Sequence, residues 1–181
     1  RSEVRTPVLC TLLPLASFER VLRDSGRRAS SQFTAPYLNQ YELKTPELPA
    51  PWSPLIDACA ALNNGPLATL EATLQPELAV DSALWMLAAQ IVFVNPDSYV
   101  LTGHNYYVYH DVFHDRVQTI PWGLNLPLGA SSLAGSTVTQ RATWSLFYGQ
   151  TNTGRPLMNR LWAVPDLRER YLAHVRTIVD R

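Results

Sequence analysis

Lysine is almost missing from this chain: Lys44 is the only one among 15 basic residues, and the rest are arginine. Many sites that handle ATP place a lysine on phosphate, so that possibility rests on Lys44 alone. Cysteine is scarce too, with only Cys10 and Cys59. They allow one bridge in an oxidising compartment or two buried thiols, and the apolar helical face that carries Cys59 favours thiols. The formal net charge is +0, so no general field steers nucleic acid or anionic lipid to the protein, and any anion site is local. No apolar run reaches the length of a membrane span, and the opening RSEVRTPVLCTLLPLA lacks the long apolar stretch of an intact signal peptide. A start on Arg1 rather than methionine suggests a processed or shortened chain. Neither glycine-rich phosphate loop, GxGxxG or GxxxxGK, occurs.

What is present suits one folded domain. Of 181 residues, 46% are hydrophobic and 17% charged, with mean hydropathy -0.08, a globular rather than disordered composition. Leu15, Phe18 and Leu22 stand at helical spacing before Gly26, predicting a short amphipathic helix. A proline-punctuated connector follows, with at most one short strand around Gln40 to Lys44. Ser53 as a cap and Pro54 in the first turn predict a helix that buries Leu55, Ala58, Cys59 and Leu62. GPLATLEATLQ predicts another short helix. Asp81 is expected to cap a helix running to Val94 that is apolar nearly all round and therefore central. NYYVYHD and VQTIPW alternate and favour β-formers, so they predict a hairpin turning at VFHDR. A Gly/Ser/Thr/Leu loop is expected from Gly123 to about Gln140. Two helices close the chain, the second with Leu167, Tyr171, Val175 and Ile178 in line. The fold class is α+β, mainly helical.

The region from Val94 to Asn125 concentrates the chemistry. Phosphoryl transfer asks the protein for a carboxylate to accept a proton and for oxygen ligands to Mg²⁺. In protein kinases an aspartate and then an asparagine follow a buried helix, and a second aspartate follows a hairpin. Asp97, Asn105 and the Trp122-Gly123 pair keep that order, at a spacing wider than the HRDxxxxN motif.

LWMLAAQIVFVNPDSYVLTGHNYYVY, TIPWGLN and PLMNRLWAVPDLRERYLAHV, with YELKTPE upstream, resemble the spore coat protein H (CotH) kinase family, a set of atypical and mostly extracytoplasmic protein kinases. The resemblance runs from about Tyr37 to Asp180. It implies a C-lobe-like domain over 37–181, with 1–36 an unassigned helix and connector. It also implies an atypical protein-kinase-like C-lobe whose short β-hairpin follows the catalytic-type loop. Under it, Asp97 is the catalytic base, His104 and Asn105 contact cofactor, and Asn105 and Asn125 hold metal. The family's P-W-D-x-[DN] motif reads here Pro121-Trp122-Gly123-Leu124-Asn125, so glycine stands where a metal-binding aspartate is expected.

Glycine offers no side-chain oxygen, and Mg²⁺ at nucleotide sites leans on one or two carboxylates. The expectation is a pseudokinase domain, or a fragment of one, serving as a structural or interaction subunit of a larger extracytoplasmic assembly. It binds no cofactor as given, needs a protein partner or a missing N-lobe, and takes no nucleic acid. The alternative is an active Mg-ATP-dependent kinase whose N-lobe comes from another chain or a removed segment, for which Asp111 or Asp115 from the hairpin turn is a candidate to stand in for the lost acid. A third reading is an interaction module unrelated to nucleotide, marked by exposed apolar surface.

Competing readings of the same residues are structural. Asp97 after Asn95-Pro96 suits a turn. His110 and His114 have the i, i+4 spacing of a helical metal site, but in a hairpin that spacing separates them along the strand. His174 reads as a packing histidine. Tyr106, Tyr107, Tyr109 and Trp122 read as hairpin packing. Arg27 to Ser30 looks like a basic-directed phosphorylation site, a match too short to carry weight.

Overall fold

The computed structural model describes residues 8–12, 41–44, 52–103, 105–123 and 137–181. The expected helix around Leu15 to Leu22 and the Ser30 site lie outside these residues, as do His104 and Asn125. Four strands form one antiparallel sheet: β1 (Val8–Leu12), β2 (Tyr41–Leu43), β3 (Tyr106–Asp111) and β4 (Arg116–Pro121), in the order β2-β1-β3-β4. The predicted hairpin is β3 and β4, with Tyr106 opposite Pro121 at its open end and Asp111 opposite Arg116 at its turn. β2 is the strand expected near Lys44. β1 was not legible as a strand, yet it lies inside the sheet and joins residues 8–12 to the rest of the fold.

Three helical units follow β2: α1 (Ser53–Asn64), a 3-10 turn (Leu67–Thr69) running into α2 (Leu70–Leu74), and α3 (Val80–Val92). α1 begins after Trp52, which precedes the first turn without a side-chain cap, so Ser53 lies inside the helix rather than capping it. Pro54 fits that first turn because its missing N–H has no helical partner there. As expected, Leu55, Ala58, Cys59 and Leu62 are buried.

α3 is the centre of the domain, with Ala83, Leu84, Leu87 and Ala88 fully buried. It starts at Ala79, not at an Asp81 cap. Asp81 lies in the first turn, where a carboxylate favours the positive end of the helix dipole. The main chain just before α3 covers the free edge of β4: Ala79 N–H donates to Val117 O at 2.8 Å and Val117 N–H to Glu77 O at 2.8 Å. Covering a sheet edge in this way removes a pairing template.

The chain closes with α4 (Val138–Ala142), α5 (Pro156–Leu161) and α6 (Pro165–Val179). α4 occupies the end of the segment expected to be loop, nucleated by a capping box between Thr137 and Gln140. α6 packs along α3 through Leu167, Tyr171 and Val175, and each such buried side chain contributes about 1.5–3 kcal/mol. Trp162 and Tyr171 meet with ring centroids 4.8 Å apart and share a cluster with Phe147. His174 packs as expected, stacked on Trp85 at 4.1 Å, and it also pairs with Asp81 at 2.8 Å, tying α6 to α3. The architecture is α+β with helices on the sheet's inner face. Among the described residues, no helix is long and apolar enough to cross a membrane.

Candidate functional site

α3 ends in an unusual turn. Val94, a β-branched residue, has φ 53, a left-handed conformation that costs such residues about 1–2 kcal/mol. It turns the chain back so that Asn95 N–H reaches Gln90 O at 3.0 Å. The Asn95 side chain then accepts the Asp97 N–H at 3.1 Å. The Asn95 side chain thus braces the turn that carries Asp97. The half-buried Asp97 carboxylate lies 3.4 Å from the Thr102 hydroxyl, a long contact, because that hydroxyl donates to Ser98 O at 2.9 Å.

Tyr99 anchors this loop in the core. Its ring is buried and meets Tyr106 edge-on at 5.3 Å, and its hydroxyl accepts the Leu157 N–H at 3.1 Å. Burial pushes the Tyr99 phenol well above its ordinary range, and the Leu157 N–H and Arg155 charge only partly oppose this. Arg155, only 8% exposed, donates Nε to Tyr99 O at 2.9 Å and Nη1 to Gly154 O at 3.0 Å. Gly103, at φ +85, packs on that guanidinium so closely that a Cβ would stand 2.6 Å from Cζ. Neither Arg155 nor Tyr99 was foreseen. The partners are 56 residues apart, and no local pattern announces them.

Asn105, at φ 61, opens β3 and turns its side chain back to the loop. Its Nδ2 donates to the Asp97 carbonyl at 3.1 Å, and its own carbonyl accepts the Trp122 N–H at 3.1 Å. Gly123 follows with φ +68, and a Cβ there would lie 3.0 Å from Asn105 Nδ2. The hairpin thus brings position 123 against Asn105, which in turn holds Asp97.

Asn105 donates its amide nitrogen to a backbone carbonyl, which leaves the ligating atom of an asparagine, Oδ1, out of that bond, and Gly123 has no side-chain oxygen. Among the described residues, no group of three or more His, Cys, Asp or Glu stands together as a ligand set. Substitution of the missing acid by Asp111 or Asp115 is ruled out by the hairpin itself. Those residues sit at its turn, five register steps from the Tyr106-Pro121 end, which at about 3.4 Å per residue is some 17 Å away. They are also engaged: His114 Nδ1 lies 2.6 Å from Asp111 and His110 Nε2 lies 2.9 Å from Asp115. The His114 hydrogen bond, with the Phe113 N–H, holds the Asp111 carboxyl below the ordinary aspartate range. Lys44 pairs with Glu42 on the exposed end of β2.

Beside the site the outer face of the hairpin is apolar. Trp122 is 57% exposed and Ile120 42%, and Trp122 packs edge-on against Tyr107 at 4.9 Å.

The family model described as CotH kinase protein matches residues 22–181. The chain belongs to the CotH kinase family. The match begins upstream of Tyr37, where the motifs start, and takes in all of α1 to α6 as well as β2, β3 and β4. No curated protein matches the chain.

Proposed function

We propose that this CotH-family chain is a pseudokinase domain, or part of one, that has lost competent metal-dependent phosphoryl transfer and acts as a structural or interaction subunit of a larger extracytoplasmic assembly. One observation carries this reading: position 123, where the family motif places an acid, lies against Asn105 and holds a glycine in a left-handed conformation. The backbone is set for glycine there, and the neighbouring asparagine has turned its amide to the Asp97 carbonyl. A metal bound between Asp97 and Asn105 would lose the carboxylate that offsets most of its charge, a term worth several kcal/mol in a partly buried site.

The kinase-like C-lobe assignment is part of the same proposal. It is supported by the order of buried helix, Asp97 loop, Asn105 and hairpin, which brings the three motif positions together. The interaction role is supported by the exposed Trp122 and Ile120, since exposed tryptophan is frequent at the centre of protein interfaces. The partner in this reading is a protein, either an N-lobe or another subunit.

The test is transfer of labelled phosphate from ATP, with Mg²⁺ or Mn²⁺, to the chain itself and to a general acceptor protein. The proposal predicts incorporation no greater than that of Asp97→Ala. Incorporation that depends on Asp97 would instead support the active kinase, with its N-lobe supplied elsewhere.

A further inference from the structure

Arg155 carries a positive charge that no carboxylate among the described residues balances. It is only 8% exposed. Its partners are neutral: Nε donates to the Tyr99 carbonyl at 2.9 Å, Nη1 donates to the Gly154 carbonyl at 3.0 Å, and Cζ lies 5.9 Å from the centre of the Tyr99 ring. Burying a charge is costly, so a buried ion is ordinarily matched by an opposite charge as well as by hydrogen bonds. Arg170, far more exposed, does have its acid, Glu71 at 2.6 Å. The chain supplies a counter-charge at the surface and none where desolvation makes it count.

The unused donors of this guanidinium are fixed in place. Nη2 donates to nothing among the described residues, yet it is not sealed from solvent. Gly103 packs on the same end of the group, where a Cβ would stand 2.6 Å from both Cζ and Nη2. That contact sets the free nitrogen beside the end of the loop that carries Asp97. The bonds from Nε and Nη1 to the main chain hold the rest of the plane, so the donor is ordered before any ligand arrives. Ordering of this kind lowers the cost of binding, and a planar guanidinium is the side chain best matched to the oxygens of a phosphate or carboxylate.

We propose that Arg155 anchors a small oxyanion site at the base of the Asp97 loop, taking a phosphate group on Nη2 with no metal between them. The ligand supplies the counter-charge that the chain omits, and it ties the Tyr99 to Gly103 stretch more firmly to the segment that carries Arg155. Because the donor is a fixed cation rather than a bound ion, the site does not depend on the carboxylate missing at position 123. It therefore stands whether or not Asp97 supports phosphoryl transfer.

The test is an NMR titration of the purified chain with inorganic phosphate in the presence of EDTA, against sodium chloride matched for ionic strength so that general screening is subtracted. Saturable shifts are expected at the Tyr99, Gly103 and Gly154 amides and at the Arg155 Nε–H, and Arg155→Lys, which keeps the charge but not the fork, should lose them. AMP acting at lower concentration than phosphate would assign the group to a nucleotide, and an equal or weaker response would assign it to the free anion. Shifts that rise without saturating, that scatter over exposed arginines, or that persist in a folded Arg155→Lys chain would each overturn the proposal. If that variant does not fold, the wild-type map decides alone: saturation centred on Gly103 supports the site, and its absence refutes it.

Discussion

Asn105 donates its side-chain amide to the main-chain carbonyl of Asp97, 3.1 Å away and eight residues earlier. This one bond joins the motif acid to the motif asparagine and leaves the asparagine's amide nitrogen holding backbone. Asn105→Ala should therefore act first on stability. An orphaned, partly buried carbonyl costs about 1–3 kcal/mol, and the loss should appear as a lower thermal midpoint with faster hydrogen exchange at Asp97 to Gly103. An unchanged midpoint would mean that the bond is not holding the loop.

Gly123→Ala should be destabilising as well, by about 1–2 kcal/mol, the cost of a left-handed conformation for a residue with a Cβ. Gly123→Asp should cost less than Gly123→Ala, because aspartate tolerates that conformation better and its carboxylate can accept from Asn105 Nδ2. Equal destabilisation by both, measured in urea, would argue against that contact.

The Gly103–Arg155 contact predicts a larger effect. Gly103→Ala drives a methyl to within 2.6 Å of a buried guanidinium at φ +85, and a clash combined with backbone strain belongs to the class of changes that exceed about 3 kcal/mol. Failure to fold, or a strongly reduced urea midpoint, is the expected result. A midpoint within experimental scatter of wild type would show that the loop can move off Arg155.

Asp111 gives a pH dependence. Its folded pKa is depressed, chiefly by the His114 hydrogen bond, so its stabilising contribution is present above the unfolded value of about 3.9. That contribution is lost as pH falls through the lower folded value. NMR titration should show the Asp111 carboxyl protonating below the unperturbed range, and His114→Ala should return it toward that range. Glu77 has the opposite sign: burial, with Asp57 and Asp115 nearby, raises its pKa. Its ionisation disfavours the fold as pH rises through that value, and Glu77→Gln should raise the thermal midpoint at neutral pH.

Much of this architecture was written locally. The spacing of Leu55, Cys59 and Leu62 gave a helix, and the alternation through Tyr106 to Asp111 and Val117 to Pro121 gave a hairpin, because each pattern matches the period of its element. Helix starts were less legible. Ser53 and Asp81 are good capping residues, but Trp52 and Ala79 take the cap positions, where tertiary burial and the bonds to β4 outweigh capping preference. β1 was missed because five residues beside Pro7 and Pro14 show no clear alternation, and its place is set by long-range pairing to β2 and β3. At the site, the family resemblance singled out Asp97, Asn105 and Gly123, and the fold sets Asn105 against both the Asp97 carbonyl and position 123. The Arg155 clamp under Tyr99 and Gly103 is tertiary and left no trace in the neighbouring sequence.

The central claim is that the site lacks the acid on which metal-nucleotide binding depends. Its most direct test is calorimetric titration of the purified wild-type chain with ATP in the presence of Mg²⁺ or Mn²⁺, with Gly123→Asp alongside. The account predicts no saturable, metal-dependent heat from wild type. Saturable binding by wild type that Asp97→Ala abolishes would contradict it and establish a working nucleotide site built on other ligands.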